Sequence, residues 1–134
     1  MGGLVLKLAP RERLLINGAA LENGDRRGRF TILTPDANIL RLRDAIHPEG
    51  ADTPVKRACY AIQLVLSGDH APDAAHLPLL RRIEELSQVF DDLDSRNILA
   101  IASRALIQRR YYQGLKALRT LLPREERLLA AVQK

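Results

Sequence analysis

Hydrophobic positions along the 134-residue chain change their period once, near residue 50. Before that point they alternate. Leu4, Leu6 and Leu8 are interleaved with Val5 and Lys7 until Pro10 ends the run, and Leu14 and Ile16 lead up to Asn17-Gly18. Asn-Gly is favoured where both central residues of a two-residue hairpin turn need φ above zero. Ala19 to Glu22 then reaches a second such dipeptide, Asn23-Gly24, which with Asp25, Arg26 and Arg27 reads as another hairpin tip. Phe30 and Ile32 alternate with Thr31 and Leu33, which assigns Phe30 to the core, and Pro35-Asp36 makes a turn. Ile39 to Arg43 forms a last strand, with Arg41 and Arg43 on one face opposite Leu40 and Leu42. Four or five short strands with tight turns predict a β-meander or small barrel-like sheet.

From Thr53 the apolar spacing becomes helical. Thr53 as N-cap and Pro54 as first helical residue start a helix whose apolar face is Ala58, Ile62, Val65 and Leu66, ending at Ser67-Gly68. The stretch from Gly68 to His76 reads as a loop. A second helix is expected from Leu77 or Pro78 to Asp92, burying Leu80, Ile83, Leu86, Val89 and Phe90. Asp94 or Ser95 caps a third, from Asn97 through Arg110 and onward toward Leu122, until Pro123 kinks or restarts the chain. A final turn or two carries Leu128, Leu129 and Val132. The fold class is therefore α+β: a small antiparallel sheet over residues 1–50, then a bundle of three to four helices over residues 51–134. Thin strands need a cover, so one cooperative unit is expected.

Composition narrows the function more by exclusion than by assignment. A lone Cys59 in an apolar helical pattern cannot make an internal bridge and reads as a buried structural thiol in a reducing, cytoplasmic setting. No segment approaches the ~18 uninterrupted apolar residues of a membrane span, so no membrane association is expected. His47, His70 and His76 show no metal-ligand spacing, and there is no Gly-rich phosphate loop or nucleophile motif. Glu84-Glu85 and Asp91-Asp92 are adjacent on a helix, about 100° apart, and do not share a face as catalytic carboxylates would. The reading is non-enzymatic, with no cofactor and no metal.

Charge gives the positive signal. The net formal charge is +5 and unevenly laid out: residues 69–94 hold seven acids against Arg81 and Arg82, whereas residues 95–134 hold nine bases against Glu125 and Glu126. On one helix stepping about 100° per residue, Arg109, Gln113 and Lys116 fall within about 60° of one another, opposite Tyr111, Leu115, Leu118 and Leu122. In the sheet, Arg26, Arg27 and Arg29 surround a turn and Arg41 and Arg43 share a strand face, so five guanidinium groups are candidates for one phosphate-binding surface, with Arg109, Arg110 and Lys116 as a second group. Only five aromatic residues are present, most at core-like positions with Tyr112 edging out of its apolar stripe, which gives a base-stacking platform weak support.

Three segments, "ERLLINGAALENGDRR" (Glu12 to Arg27), "TPVKRACYAIQLVL" (Thr53 to Leu66) and "YYQGLKALRTLLPRE" (Tyr111 to Glu125), stand in the order and spacing of the FlbT family and resemble it over nearly the whole chain. The resemblance implies a post-transcriptional regulator of flagellin synthesis acting on the 5′ leader of flagellin messenger RNA, with effects on translation and message lifetime. It implies FlaF and flagellin as further partners. It supplies no catalytic residues. The family pattern has glycine before Glu12, where this chain has Arg11. Two readings stand side by side: direct RNA binding by the arginines, or an adaptor whose helices bind flagellin or FlaF and affect the message indirectly. Exposed strand edges also allow a homodimer.

Overall fold

The structure is a computed structural model and describes residues 3–132. Five strands, β1 (Leu4–Leu8), β2 (Arg13–Ile16), β3 (Ala19–Glu22), β4 (Gly28–Ile32) and β5 (Ile39–Arg41), precede five helices, α1 (Pro54–Leu66), α2 (Pro72–Val89), α3 (Leu93–Ile107), α4 (Tyr111–Arg119) and α5 (Leu122–Val132). The fold is α+β, as the change of period predicts. All strand pairs are antiparallel, but the strands divide into two sheets: β1 pairs with β4, and β2 lies between β3 and β5.

Alternation explains how the sheets stack. Leu6 and Leu8 of β1 join Leu14 of β2 and Ile39 of β5 in one small core, with Leu4, Ile16 and Ile32 packed around it. The opposite face of the three-stranded sheet contributes Leu40 and Leu15 to a second, larger core among the helices. That larger core is centred on α1, which packs against α2, α4 and α5 and buries Val55, Ala58, Cys59, Ile62, Val65 and Leu66. Thr53 caps it as expected, its hydroxyl oxygen accepting from the Lys56 N–H. A partner from far along the chain completes the cap. Glu125, buried at the start of α5, accepts from the Val55 N–H at 2.8 Å and from the Thr53 hydroxyl.

Turn chemistry follows expectation at the first Asn-Gly and departs from it at the second. Asn17 (φ 49°) and Gly18 (φ 84°) form the two-residue turn between β2 and β3. Asn23-Gly24 is no hairpin tip, because β3 and β4 belong to different sheets. There the Asn23 amide holds the crossing, donating to the carbonyls of Ala9 (2.8 Å) and Arg26 (2.9 Å). Arg11, just before Glu12, adopts φ 61°, a left-handed conformation.

Several sequence expectations are corrected. β5 ends at Arg41, and Leu42–Asp44 is a 3-10 turn closed by the Ala45 N–H on the Leu42 carbonyl, so Arg41 and Arg43 do not share a strand face. Phe30 is 47% exposed, since β4 is an edge strand over an open side of the sandwich. α2 begins at Pro72, five residues earlier than expected. Pro72 is pre-set for a first helical position, and Pro78 is tolerated inside because both it and Ala74, whose carbonyl loses its partner, face solvent. Leu79 rather than Leu80 is fully buried there, and Val89 is 59% exposed at the helix end. Asp92, not Asp94 or Ser95, caps α3, accepting from the Ser95 N–H.

α3 and α4 are not continuous, because Arg109 takes φ 60° and turns the chain. With the restart at Leu122-Pro123, this raises the helix count to five. Gly114 lets α4 lie close on α3: a Cβ there would meet Leu106 Cδ2 at 2.9 Å. Tyr111, Leu115 and Leu118 are buried as predicted, whereas Leu128, Leu129 and Val132 of α5 are exposed. Among the described residues no helix is long and apolar enough to cross a membrane.

A basic band as candidate nucleic-acid interface

The floor of the site is a buried ion pair. Arg41 Nε donates to Glu12 Oε2 at 2.6 Å and Nη2 to Glu12 Oε1 at 2.8 Å, a two-pronged contact that suits a planar guanidinium. The same Nη2 donates to the Lys7 carbonyl at 2.6 Å, and Glu12 Oε1 accepts from the Ala9 N–H at 3.0 Å. One arginine thereby joins the two sheets. The hydrogen bond from Arg41 is the largest cause holding the Glu12 carboxyl down at about 2, against the opposing effect of burial. Arg41 is 9% exposed, so its charge is committed to Glu12 and the surface above it is shaped by it rather than served by it.

Above that floor lies an open cleft lined by Lys7, Arg27, Gly28, Arg29, Arg41 and Arg43. Lys7 and Arg29 are direct cross-strand neighbours in the β1–β4 pair. Like charges placed so are mutually destabilising, by about 0.2–1 kcal/mol. Among the described residues no ion pair includes Lys7, Arg26, Arg27, Arg29 or Lys116. Arg43 keeps only loose contacts, 3.7 Å from Glu12 and 3.9 Å from Asp44. Uncompensated cations on one face have one simple remedy, an anion.

Arg43 also lines a second cleft, between β1 and α4, with Asp44, Tyr112, Lys116 and Arg119. The band thus runs from Arg27 and Arg29 through Arg43 to Lys116. Arg119 within it is tied to Asp44, at 3.3 Å from the carboxylate and 2.8 Å from the backbone carbonyl. Burial pushes the Tyr112 phenol up from its ordinary value, and its ring packs against both cores, so it helps to wall the cleft.

The structure therefore brings together Arg27, Arg29, Arg43 and Lys116 of the sequence-predicted set, and separates the others. Arg41 is spent on Glu12. Arg26 is exposed in the crossing between sheets and does not line the cleft. Arg109 and Arg110 lie in the break between α3 and α4 and pair with Asp73 (2.5 Å) and Asp36 (3.1 Å). The helical wheel that joined Arg109 to Lys116 assumed one helix where there are two. Sequence reasoning missed Lys7, whose place on the outer face follows from alternation but whose proximity to Arg29 depends on a β1–β4 register that the sequence does not display. It also missed Glu12. The usable signal was Ile39-Leu40, two consecutive apolar residues implying a strand buried on both faces, so that the next residue, Arg41, needed a buried acid.

Among the described residues no three His, Cys, Asp or Glu side chains gather as a metal site. Cys59 is fully buried, and desolvation pushes its thiol up to about 12, which leaves it protonated and structural.

Fold and surface together define a small α+β protein that carries a basic band across its strand face. A family profile described as "Flagellar protein FlbT" matches residues 4–129, and the chain belongs to the FlbT family. It is 33% identical over 127 residues to the "Probable flagellum biosynthesis repressor protein FlbT" of Rhodopseudomonas palustris (strain TIE-1), covering 95% of this chain and 98% of that one. It is 28% identical over 130 residues to the "Flagellum biosynthesis repressor protein FlbT" of Caulobacter vibrioides (strain ATCC 19089 / CIP 103742 / CB 15), covering 96% of this chain and 91% of that one. No solved structure matches the chain.

Proposed function

We propose that the protein is a non-catalytic, post-transcriptional regulator that acts in the cytoplasm on the 5′ leader of flagellin messenger RNA, holding it on the basic band. The observation that carries this reading is the cluster of Lys7, Arg27 and Arg29, which lack acidic partners among the described ion pairs and lie beside the loosely held Arg43. Family membership and the printed names of the relatives support the regulatory part. Arginine forks and a lysine over an open cleft suit phosphates, and the scarcity of exposed aromatics places the weight on backbone contacts rather than base stacking.

The test is binding of the purified protein to a flagellin leader RNA and to a scrambled RNA of equal length, over a salt series. Arg29→Ala/Arg43→Ala is expected to weaken leader binding and lower the logarithmic salt slope by about 1.4, as two lost single-strand phosphate contacts should. Arg109→Ala/Arg110→Ala, which removes two acid-paired arginines elsewhere, is expected to leave the slope unchanged. Equal loss from both double variants would defeat the assignment.

A second reading is favoured by the helices. Leu128, Leu129 and Val132 of α5 and Leu93, Ile101 and Ile107 of α3 are large apolar side chains left exposed. They suit an adaptor that binds flagellin or FlaF, with RNA affinity arising only in that complex.

A further inference from the structure

The sandwich of the two small sheets is closed on one side and open on the other. On the β1–β5 side, α4 lies across the gap with Tyr112, Leu115 and Lys116. On the β4–β3 side the gap is lined by residues of the strand half alone. Between the sheets it leaves an apolar cavity of about 130 Å³ walled by Leu6, Leu8, Leu14 and Ile16, with Leu21 (44% exposed) and Phe30 (47% exposed) at its mouth. Protein interiors are close-packed and leave few voids larger than a water molecule. A cavity of this size with two large apolar side chains at its entrance is an unfinished core.

The strand beside it is also unfinished. β3, Ala19–Glu22, is exposed at every residue and stands at the end of its sheet. Ile16 and Ala19 flank the two-residue turn and form a hydrogen-bonded pair, as do Leu14 and Leu21 two residues on, so Ala20 and Glu22 turn their N–H and C=O groups to the free edge. Edges of this kind are ordinarily blunted by proline, charged side chains or a bulge; Ala-Ala-Leu-Glu has no proline or lysine and a single charge, Glu22, at its end.

We propose that the β3 edge receives an extended segment of a partner protein as a fourth strand, whose inward apolar side chains close the cavity mouth over Leu21 and Phe30. The segment alternates apolar and polar residues and is acidic at one end. Charge decides the occupant: Glu22, the acid that lines the cavity, is already neutralised by Arg13 at 2.8 Å and Arg11 at 3.5 Å, and Asp25 by Arg11, whereas Arg26, whose carbonyl is held by Asn23 at the cavity's end, has no acidic partner among the described ion pairs. A second copy carries the same net charge of +5 and is repelled as a whole, whereas an acidic segment neutralises Arg26. Backbone pairing gives affinity and the alternate side-chain pocket gives selectivity. The site is separate from the basic band, and its test does not rest on RNA binding.

The probes are three synthetic ten-residue peptides: valine alternating with threonine and ending in two glutamates, the same ending in two lysines, and the glutamate peptide with a central proline. Titrated into the isotope-labelled protein, the glutamate peptide is expected to shift amide resonances of Ala19–Glu22 and Phe30 and to bind roughly tenfold or more tightly than the other two. Leu21→Glu and Ala20→Pro should each abolish that preference while leaving the helical circular dichroism unchanged. Leu21→Glu keeps the backbone donors, so it serves if the proline variant fails to fold. Equal binding of the three peptides, or none by the glutamate peptide at millimolar concentration, overturns the proposal. So does a free protein that sediments as a dimer and becomes monomeric on Ala20→Pro, which would assign the edge to a second copy.

Discussion

The helical half and the strand half of this molecule are held together by different physics. Around α1, side chains from every helix and from β5 close into one apolar cluster, and its largest members, among them Ile62, Leu66, Leu106 and Leu118, are fully buried. The strand half has a far smaller apolar core and keeps its two sheets in register through a polar device, Arg41 bridging Glu12 and the Lys7 carbonyl, with Asn23 pinning the crossing below. Volume holds one half and directed hydrogen bonds hold the other. The surfaces follow from this. A sandwich too small to fill itself leaves cations side by side and an edge unpaired, which are the features a binding surface needs.

The sharpest way to break the comparison is to remove one member of the buried pair. Arg41→Ala leaves the Glu12 carboxylate uncompensated and should cost about 3–5 kcal/mol in urea unfolding. Glu12→Leu/Arg41→Leu should recover most of that loss, because apolar replacement of a whole buried pair is often close to neutral. In the helical half the corresponding blow is to volume: Leu118→Ala should cost about 2–5 kcal/mol, with no rescue by any charge change.

Acid should separate the halves without mutation. Glu12 is held at about 2 in the folded protein against an ordinary value of 4.5, so its contribution is fully present above pH 4.5 and is lost as pH falls toward 2. The expected loss is about 3 kcal/mol. Amide exchange should show protection falling in β1, β2 and β5 over that window while α1 and α4 stay protected; simultaneous loss in both halves would show that they share one stability. The smallest effect concerns the first turn. Arg11→Gly relieves a left-handed conformation but gives up surface contacts to Glu22 and Asp25, and should raise stability by no more than about 1 kcal/mol.

These differences also explain what could be read from the chain in advance. Helix α1 was readable almost to the residue, because Thr53-Pro54 and Gly68 are local signals and its apolar face is continuous. Asn17-Gly18 was readable for the same reason. The pairing of β1 with β4 was not, since nothing in either strand names its neighbour, and the second Asn-Gly looked like the first although its amide does different work. The break at Arg109 has no glycine or proline to announce it, and with it the supposed stripe from Arg109 to Lys116 dissolves. The site was half legible: Arg27 and Arg29 were found by their place beside a turn, whereas alternation put Arg41 with Arg43 on one face, which the 3-10 turn at Leu42 undoes, and the acid beneath them was hidden by sequence distance.

The cap that Glu125 supplies to α1 has a consequence in time rather than in space. A ribosome makes Val55 seventy residues before it delivers the carboxylate that accepts from its N–H. Until then that N–H lacks its carboxylate, and a domain that folds as a unit is completed only when the distant residue arrives. A chain cut short before Glu125 keeps the Thr53 cap but leaves the Val55 N–H without this acceptor.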